Sequence, residues 1–504
     1  MKERQSALFD FIKYASLSSL GMLAISCYIL ADTFFVSKGM GKQGLAALNM
    51  AIPVFSFMNG AGLMLGMGGA TRYAIIRSSP YEKSAHKVYR GIVVLYIVLS
   101  TVMVSASFAS PAISGLLGAA GDIKPMTSVY IRFILLFSPA FMLNNILLCY
   151  VRNTGAPSVS MAAMVTGSLS NVLLDYIFIF PLGMGMLGAV LATGIAPLIS
   201  IAVISVYLIP RLLSKIRKSV PGAASDAVYR GIIPDTGAEQ TDLSAHRPAE
   251  AVSDKAKRGD CLDLNKEASY KDCKMLLRLT FSAVLLGVPS FIAEVSSGVV
   301  ILVFNYVILS LRKDTGVAAY GIIANIALVV TAVYTGISQG IQPLLSKAAG
   351  QNDRSAARKF LKYAVVTSLA TAFTVLACVC VWSEQIVSVF NSSGSAQLAD
   401  MAVPGLRLYF ISGVFAGVNV VAASFFSSSG AALQAQAISV LRGLVFPVAL
   451  SFPFAGLFEM TGVWLVVPAS EFLVMLASVV MLVFAVAKHE PEEKKKQKNE
   501  KMKR

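Results

Sequence analysis

Seven polar residues stand in stretches that are otherwise almost free of charge. Asp32 lies in "YILADTFFV", Asn171 and Asp175 in "SNVLLDYIFIF", Thr193 in "GAVLATGIA", Glu294 in "GVPSFIAEVSSG", Arg442 in "SVLRGLVFP" and Glu471 in "VVPASEFLVM". In water none would need explaining. In a lipid-spanning helix a charge costs roughly 2.5–3.5 kcal/mol on insertion scales, and such residues face a partner, an ion or a cavity. Carboxylate, amide and hydroxyl oxygens suit a hard monovalent cation, and clustered carboxylates can equally hold a proton. No residue set suggests catalysis. The six cysteines show no metal-ligand or disulfide spacing, and the three histidines fall in polar segments, away from any intramembrane proton relay.

These residues need membrane-crossing helices to position them. The 504-residue chain is 56% hydrophobic and 14% charged, with mean hydropathy +0.69, where a soluble chain would carry about 25% charged residues. Apolar runs long enough to cross a bilayer recur along nearly the whole length, and windowed hydropathy predicts an all-α polytopic membrane protein with twelve transmembrane helices. Lys and Arg fall overwhelmingly in both tails and in the even-numbered loops, which predicts cytoplasmic termini and a multi-pass protein of the plasma (inner) membrane. The net charge of +16 is explained by that bias and not by nucleic-acid binding. On this topology Asp32 stands about 18 residues above Tyr14, roughly 27 Å up its helix at 1.5 Å per residue, and Asp175 reaches a similar depth on helix 5. Asn171, four residues earlier, shares its face, and Thr193 lies about a third of the way down helix 6. Arg442 and Glu471 both land near mid-membrane on helices 11 and 12, a candidate buried ion pair, with Glu294 as a rival partner for the arginine.

The chain is also a tandem repeat. "GLAALNMAIP" (44–53) matches "GVAAYGIIAN" (316–325), "KSAHKVYR" (83–90) resembles "RSAARKFLK" (354–362), and "GMLGAVLAT" (185–193) faces "EMTGVWLVV" (459–467), at an offset staying between about 271 and 275. This predicts an N-terminal six-helix lobe over 1–210 and a C-terminal six-helix lobe over 276–487, related by a pseudo-twofold axis along the membrane normal. Between them, 211–275 is polar and mixed in charge and is expected to be a disordered cytoplasmic linker. Residues 488–504 form a basic cytoplasmic tail. The small residues of "GAGLMLGMGGA" (60–70) predict close helix contact.

Together with these repeats, "ADTFFVSKGMGKQGLAALNMAIPVFSF", "GLMLGMGGATRYAI", "RNTGAP", "SNVLLDYIFIFPLGMGMLGAVLATGIA" and "GISQGIQPLLSKAAG" resemble the multidrug and toxic compound extrusion (MATE) family, in its bacterial branch, over nearly the whole chain. The resemblance implies export of amphipathic, often cationic compounds by alternating access, driven by entry of H⁺ or Na⁺, with no other cofactor. It also implies that positions matching Asp32, Asn171, Asp175 and Thr193 form a coupling-cation site and that Glu294 lines the C-lobe cavity. Helix 10 lacks the acid that some Na⁺-coupled relatives carry, and helix 1 lacks a proline, so the coupling ion stays open. The partners expected are small organic cations and membrane lipids, with the chain acting as a monomer. The alternative is a flippase for a lipid-linked saccharide precursor. Four buried acids against one mid-membrane arginine favour cationic cargo.

Overall fold

The computed structural model describes residues 2–219, 258–391 and 395–487. Every regular element among the described residues is helical. Eight helices are long and apolar enough to cross a membrane, and two bent helix pairs raise the number to ten. Two of the eight are far too long for one crossing: Ser6–Arg77 has 72 residues and Ala432–Ala485 has 54, whereas about 20 residues span a hydrocarbon core. Each contains one non-helical residue, Gly41 (φ 64°, ψ −152°) and Glu459 (φ 48°, ψ −131°), and is two helices joined at a tight corner. The fold is therefore a twelve-helix polytopic one.

Numbered along the chain, the spans are α1 (6–40), α2 (42–77), α3 (Ala85–Leu116), α4 (Ile123–Leu136 and Ser138–Asn153), α5 (Pro157–Ile179), α6 (Gly185–Ser219), α7 (Cys273–Arg312), α8 (Thr315–Gly350), α9 (Arg354–Phe390), α10 (Ala396–Tyr409 and Ser412–Ser428), α11 (432–458) and α12 (460–487). The repeat is visible in detail: α4 bends by 49° about Phe137, and its copy α10 bends by 43° about Phe410 and Ile411. Large apolar side chains such as Val94, Ile97, Val98 and Val102 on α3, and Val480, Val483 and Phe484 on α12, are exposed. That is the surface a lipid solvent requires.

Two cores follow the two halves of the sequence. One gathers Val36, Ala51, Ile131, Ile134, Met142 and Val190 from α1 to α6. The other gathers Ile308, Ile323, Leu406, Trp464 and Val466 from α7 to α12. A third cluster joins them: Phe11 and Ala15 of α1 pack on Ile337, Ile341 and Leu345 of α8 and on Phe360 of α9. Along this seam α1 meets α8, where Gly340 sits on Tyr14 and Ala15 and Gly336 on Ser19, and α2 meets α7, where Gly68 sits on Ala283 and Gly287 on Met64.

The expected disordered linker over 211–275 is corrected at both ends. Residues 211–219 continue α6, and the helix leading into α7 begins at Arg258. No Gly or Pro interrupts the sequence between Gly259 and Gly287, so nothing there breaks a helix. The rest of that segment, 220–257, and the basic tail lie outside the described residues.

Candidate functional site

The first cluster is built by α1, α4, α5 and α6. Asp32 and Asp175 are 7% and 0% exposed, and Asn171 and Thr193 are equally buried. The Asn171 amide satisfies both its polar atoms when Nδ2 donates to Asp175 Oδ2 at 3.1 Å and Oδ1 accepts from the Thr193 N–H at 3.2 Å. Asn171 thereby ties α5 to α6 and fixes the Asp175 carboxylate. The Thr193 hydroxyl donates to Ala189 O at 2.9 Å. Tyr130 of α4 stands beside that hydroxyl, and both Tyr130 and Tyr28 lie within electrostatic reach of the two carboxylates. One oxygen of each acid, Asp32 Oδ1 and Asp175 Oδ1, is buried without a hydrogen-bond partner. Burying an ionised carboxylate without a partner is costly, and such a group is either neutral or paired. The four sequence-predicted residues are thus brought together. Tyr28 and Tyr130 were not anticipated, because a tyrosine in an apolar run reads as an ordinary core aromatic.

Glu294 belongs elsewhere. Its Cβ lies 3.2 Å from where a Cβ on Gly60 would stand, and the Asn59 amide is adjacent to its carboxyl. Asn145 Nδ2 of α4 donates to Asn59 Oδ1 at 2.9 Å, so a polar chain runs from α4 through α2 to the α7 glutamate across the seam. The two asparagines carry no charge, and the sequence offers no signal that singles them out.

Arg442 and Glu471 form a contact inside the second half. Arg442 Nε donates to Glu471 Oε1 at 2.6 Å, with the arginine side chain 25% exposed and the glutamate 8%. Asn419 of α10 donates from Nδ2 to Glu471 Oε2 at 2.7 Å and to Glu471 O at 2.8 Å. The rival pairing of Arg442 with Glu294 does not occur: the glutamate facing the arginine is on α12.

A further polar group sits on the seam. Arg152, 2% exposed, donates from Nη1 to Gln339 Oε1 of α8 at 2.5 Å and from Nη2 to Cys149 Sγ at 3.5 Å. Gln342 Nε2 donates to Met67 O at 3.0 Å and to the Thr71 hydroxyl. Both glutamines come from "GISQGIQPLLS".

Comparison with known proteins gives a consistent picture. A family model described as MatE matches residues 18–177 and 289–453. The multidrug export protein MepA of Staphylococcus saprophyticus is 23% identical over 486 residues, covering 95% of this chain and 94% of the relative. MepA of Staphylococcus aureus is 23% identical over 485 residues, with coverages of 95% and 94%. Among solved structures, a MATE protein in complex with MaL6 superposes with a TM-score of 0.76 at 20% identity, covering 95% of this chain and 97% of that one. An outward-facing multidrug resistance MATE family transporter of the MOP superfamily gives 0.75 at 21%, covering 95% and 96%.

Proposed function

The chain belongs to the MATE family of membrane transporters, and from that premise we propose that it exports amphipathic, largely cationic compounds in exchange for H⁺ or Na⁺. One observation carries the coupling half of this reading: Asp32 and Asp175 are buried together, each with an unpartnered oxygen, and no ion pair joins either to a basic residue among the described residues. A monovalent cation or a proton supplies the missing charge, and its release frees the carboxylates to change partners. Asp32 sits on α1, whose Tyr14, Ala15 and Ser19 pack against Gly340 and Gly336 of α8. Ion occupancy on α1 can therefore bear on the surface where the halves meet, which is where cargo is held in transporters built from repeats.

In this reading the protein lies in the plasma membrane with both termini in the cytoplasm, a reading the Lys/Arg distribution supports. The seam contacts at Tyr14, Ser19 and Gly350 then close the cytoplasmic side. A lipid-linked pyrophosphate would want several free basic groups, but the mid-membrane Arg442 is already engaged by Glu471. The chain would act as a monomer surrounded by lipid.

The test is counterflow of a fluorescent organic cation in proteoliposomes, driven separately by Na⁺ and by pH gradients. Asp32→Asn and Asp175→Asn are expected to abolish gradient-driven export while the purified protein stays monodisperse. Wild-type export by a folded Asp32→Asn variant would overturn the assignment.

A further inference from the structure

We infer that Arg442 is a built-in cation filling the second half's own carboxylate site, and that Glu471 with Asn419 becomes a binding site for a small guanidinium-type cation once the Arg442 side chain is removed. In the intact chain Glu471 would then hold no exchangeable ion, and ion coupling would fall to the buried acids without a basic partner among the described residues, Asp32 and Asp175 in the first half and Glu294 at the seam. That consequence rests on the function proposed above; the occupied site rests on geometry alone.

The two halves make the comparison possible. An offset of about 274 lays α5 on α11 and α6 on α12. Asn171, Asp175 and Thr193 then fall on Val445, Ala449 and Val467, so none of the first-half oxygen donors is repeated. Charge enters instead one turn away: Arg442 falls opposite Ser168 and Glu471 opposite Pro197. Each half still buries a carboxylate held by an asparagine amide, Asp175 by Asn171 and Glu471 by Asn419. The difference is in what balances the charge. In the first half Asp32 and Asp175 each retain a buried, unpartnered oxygen. In the second, Arg442 Nε takes Glu471 Oε1 and Asn419 Nδ2 takes Oε2, and both oxygens are spoken for.

The backbone is shaped around this contact. Leu441–Val445, which contains Arg442, is a π-helical turn, an irregularity rare in helices and frequent at functional positions. The extra residue in that turn re-aims the arginine relative to the regular α5. The Glu471 side chain is 8% exposed and Arg442's is 25%, so the arginine stands between the carboxylate and the accessible space. Truncating it opens a path to a buried acid whose remaining donor, Asn419, stays in place. The cation this site already accepts is a guanidinium, through one N–H on Glu471 Oε1 while Asn419 keeps Oε2, so a small guanidinium is the ligand that restores the same contact.

The experiment is thermal unfolding in detergent of Arg442→Ala, with methylguanidinium or its neutral isostere methylurea, beside the parent and the double variant Arg442→Ala/Glu471→Gln. A ligand binding only the folded state raises the melting temperature in proportion to its occupancy. Arg442→Ala is expected to melt below the parent and to regain most of the difference with methylguanidinium, while methylurea does nothing and the double variant and parent do not respond. If Arg442→Ala can be recovered folded only in methylguanidinium, that supports the same conclusion. The inference is overturned if methylguanidinium leaves Arg442→Ala unmoved, if methylurea or the double variant responds equally, or if Arg442→Ala fails in both conditions while the double variant folds. Because melting needs no gradient, failure here leaves the Asp32 transport test standing, and the converse also holds.

Discussion

Charged residues in this chain divide by whether their partner is another residue or comes from outside. Asp32 and Asp175 have no basic partner among the described residues, Glu471 has Arg442, and Arg152 has only the neutral Gln339 and Cys149. Arg152 is the most exacting case, because a guanidinium 2% exposed with no acid beside it depends on each acceptor it has. Gln339→Leu removes the Nη1 acceptor and should destabilise by about 1–3 kcal/mol, since a buried donor is left unsatisfied. Arg152→Met added to Gln339→Leu removes the orphan as well and should recover most of that loss. A cycle of thermal melts on the two singles and the double checks this, and strict additivity would show that the contact carries nothing. The sequence announced the acids by their depth, and it announced Arg442 with Glu471 by their equal depth on consecutive helices. Arg152 was hidden, because an arginine just before "NTGAP" reads as a loop residue, whereas it closes the seam. Asn59 and Asn145 were hidden for a different reason: uncharged amides do not stand out in a hydropathy profile.

Helices were legible and most corners were not. Long apolar runs gave the twelve spans, but the corners depend on single residues whose backbone the sequence only partly advertises. Gly185 opens α6 at φ 55°, and its repeat counterpart Glu459 opens α12 at φ 48°. The first half uses glycine where a left-handed residue is required, and the second half tolerates a side chain there. Three residues on, both copies use glycine again, since a Cβ on Gly188 would press on the Phe178 backbone and one on Gly462 on that of Phe454. Glu459 also pairs with Arg312 at 2.6 Å, but both side chains are more than half exposed, so the pair adds little. Glu459→Ala and Glu459→Gly both lose that pair and differ only in how they bear the positive φ. The glycine variant should therefore outlast the alanine variant by about 1 kcal/mol, the reverse of their order in a helix interior, where glycine is worse by a similar amount. Thermal melts of the two side by side decide it; the usual order, alanine above glycine, would mean that the corner is not strained.

At the scale of the whole molecule the seam decides what the two cores can do relative to each other. Small residues in 60–70 foretold close packing, yet the sequence could not say against what, because a glycine stripe is silent about its neighbour. The structure divides the stripe: Gly62 and Gly66 face Asn145 of α4 within the first half, while Gly60 and Gly68 face α7 across the seam. Along α2 and α7 the approach is graded. Gly68 and Gly287 leave no room for a Cβ, Gly60 would bring one within 3.1 Å of Phe291, and Gly298 would leave 3.7 Å to Ser56. Backbone contact at one end and slack towards the other is what a rocking joint needs, since a close-packed contact is either made or lost and does not stretch. Gly287→Val is borne only by the made contact, at an overpacking cost of about 1–3 kcal/mol. That shifts the ratio of closed to open seam by roughly 5- to 150-fold. Cys149, 1% exposed and bonded to the seam arginine, is a native reporter. Its labelling by a water-soluble maleimide, read by peptide mass spectrometry, should rise severalfold or more in Gly287→Val as gradient-driven export falls. Gly456→Val, where an added Cβ meets nothing within 4 Å, should leave both unchanged. Unaltered labelling and export in Gly287→Val would mean that the halves do not separate along α2 and α7, and the joint would have to be sought where α1 meets α8.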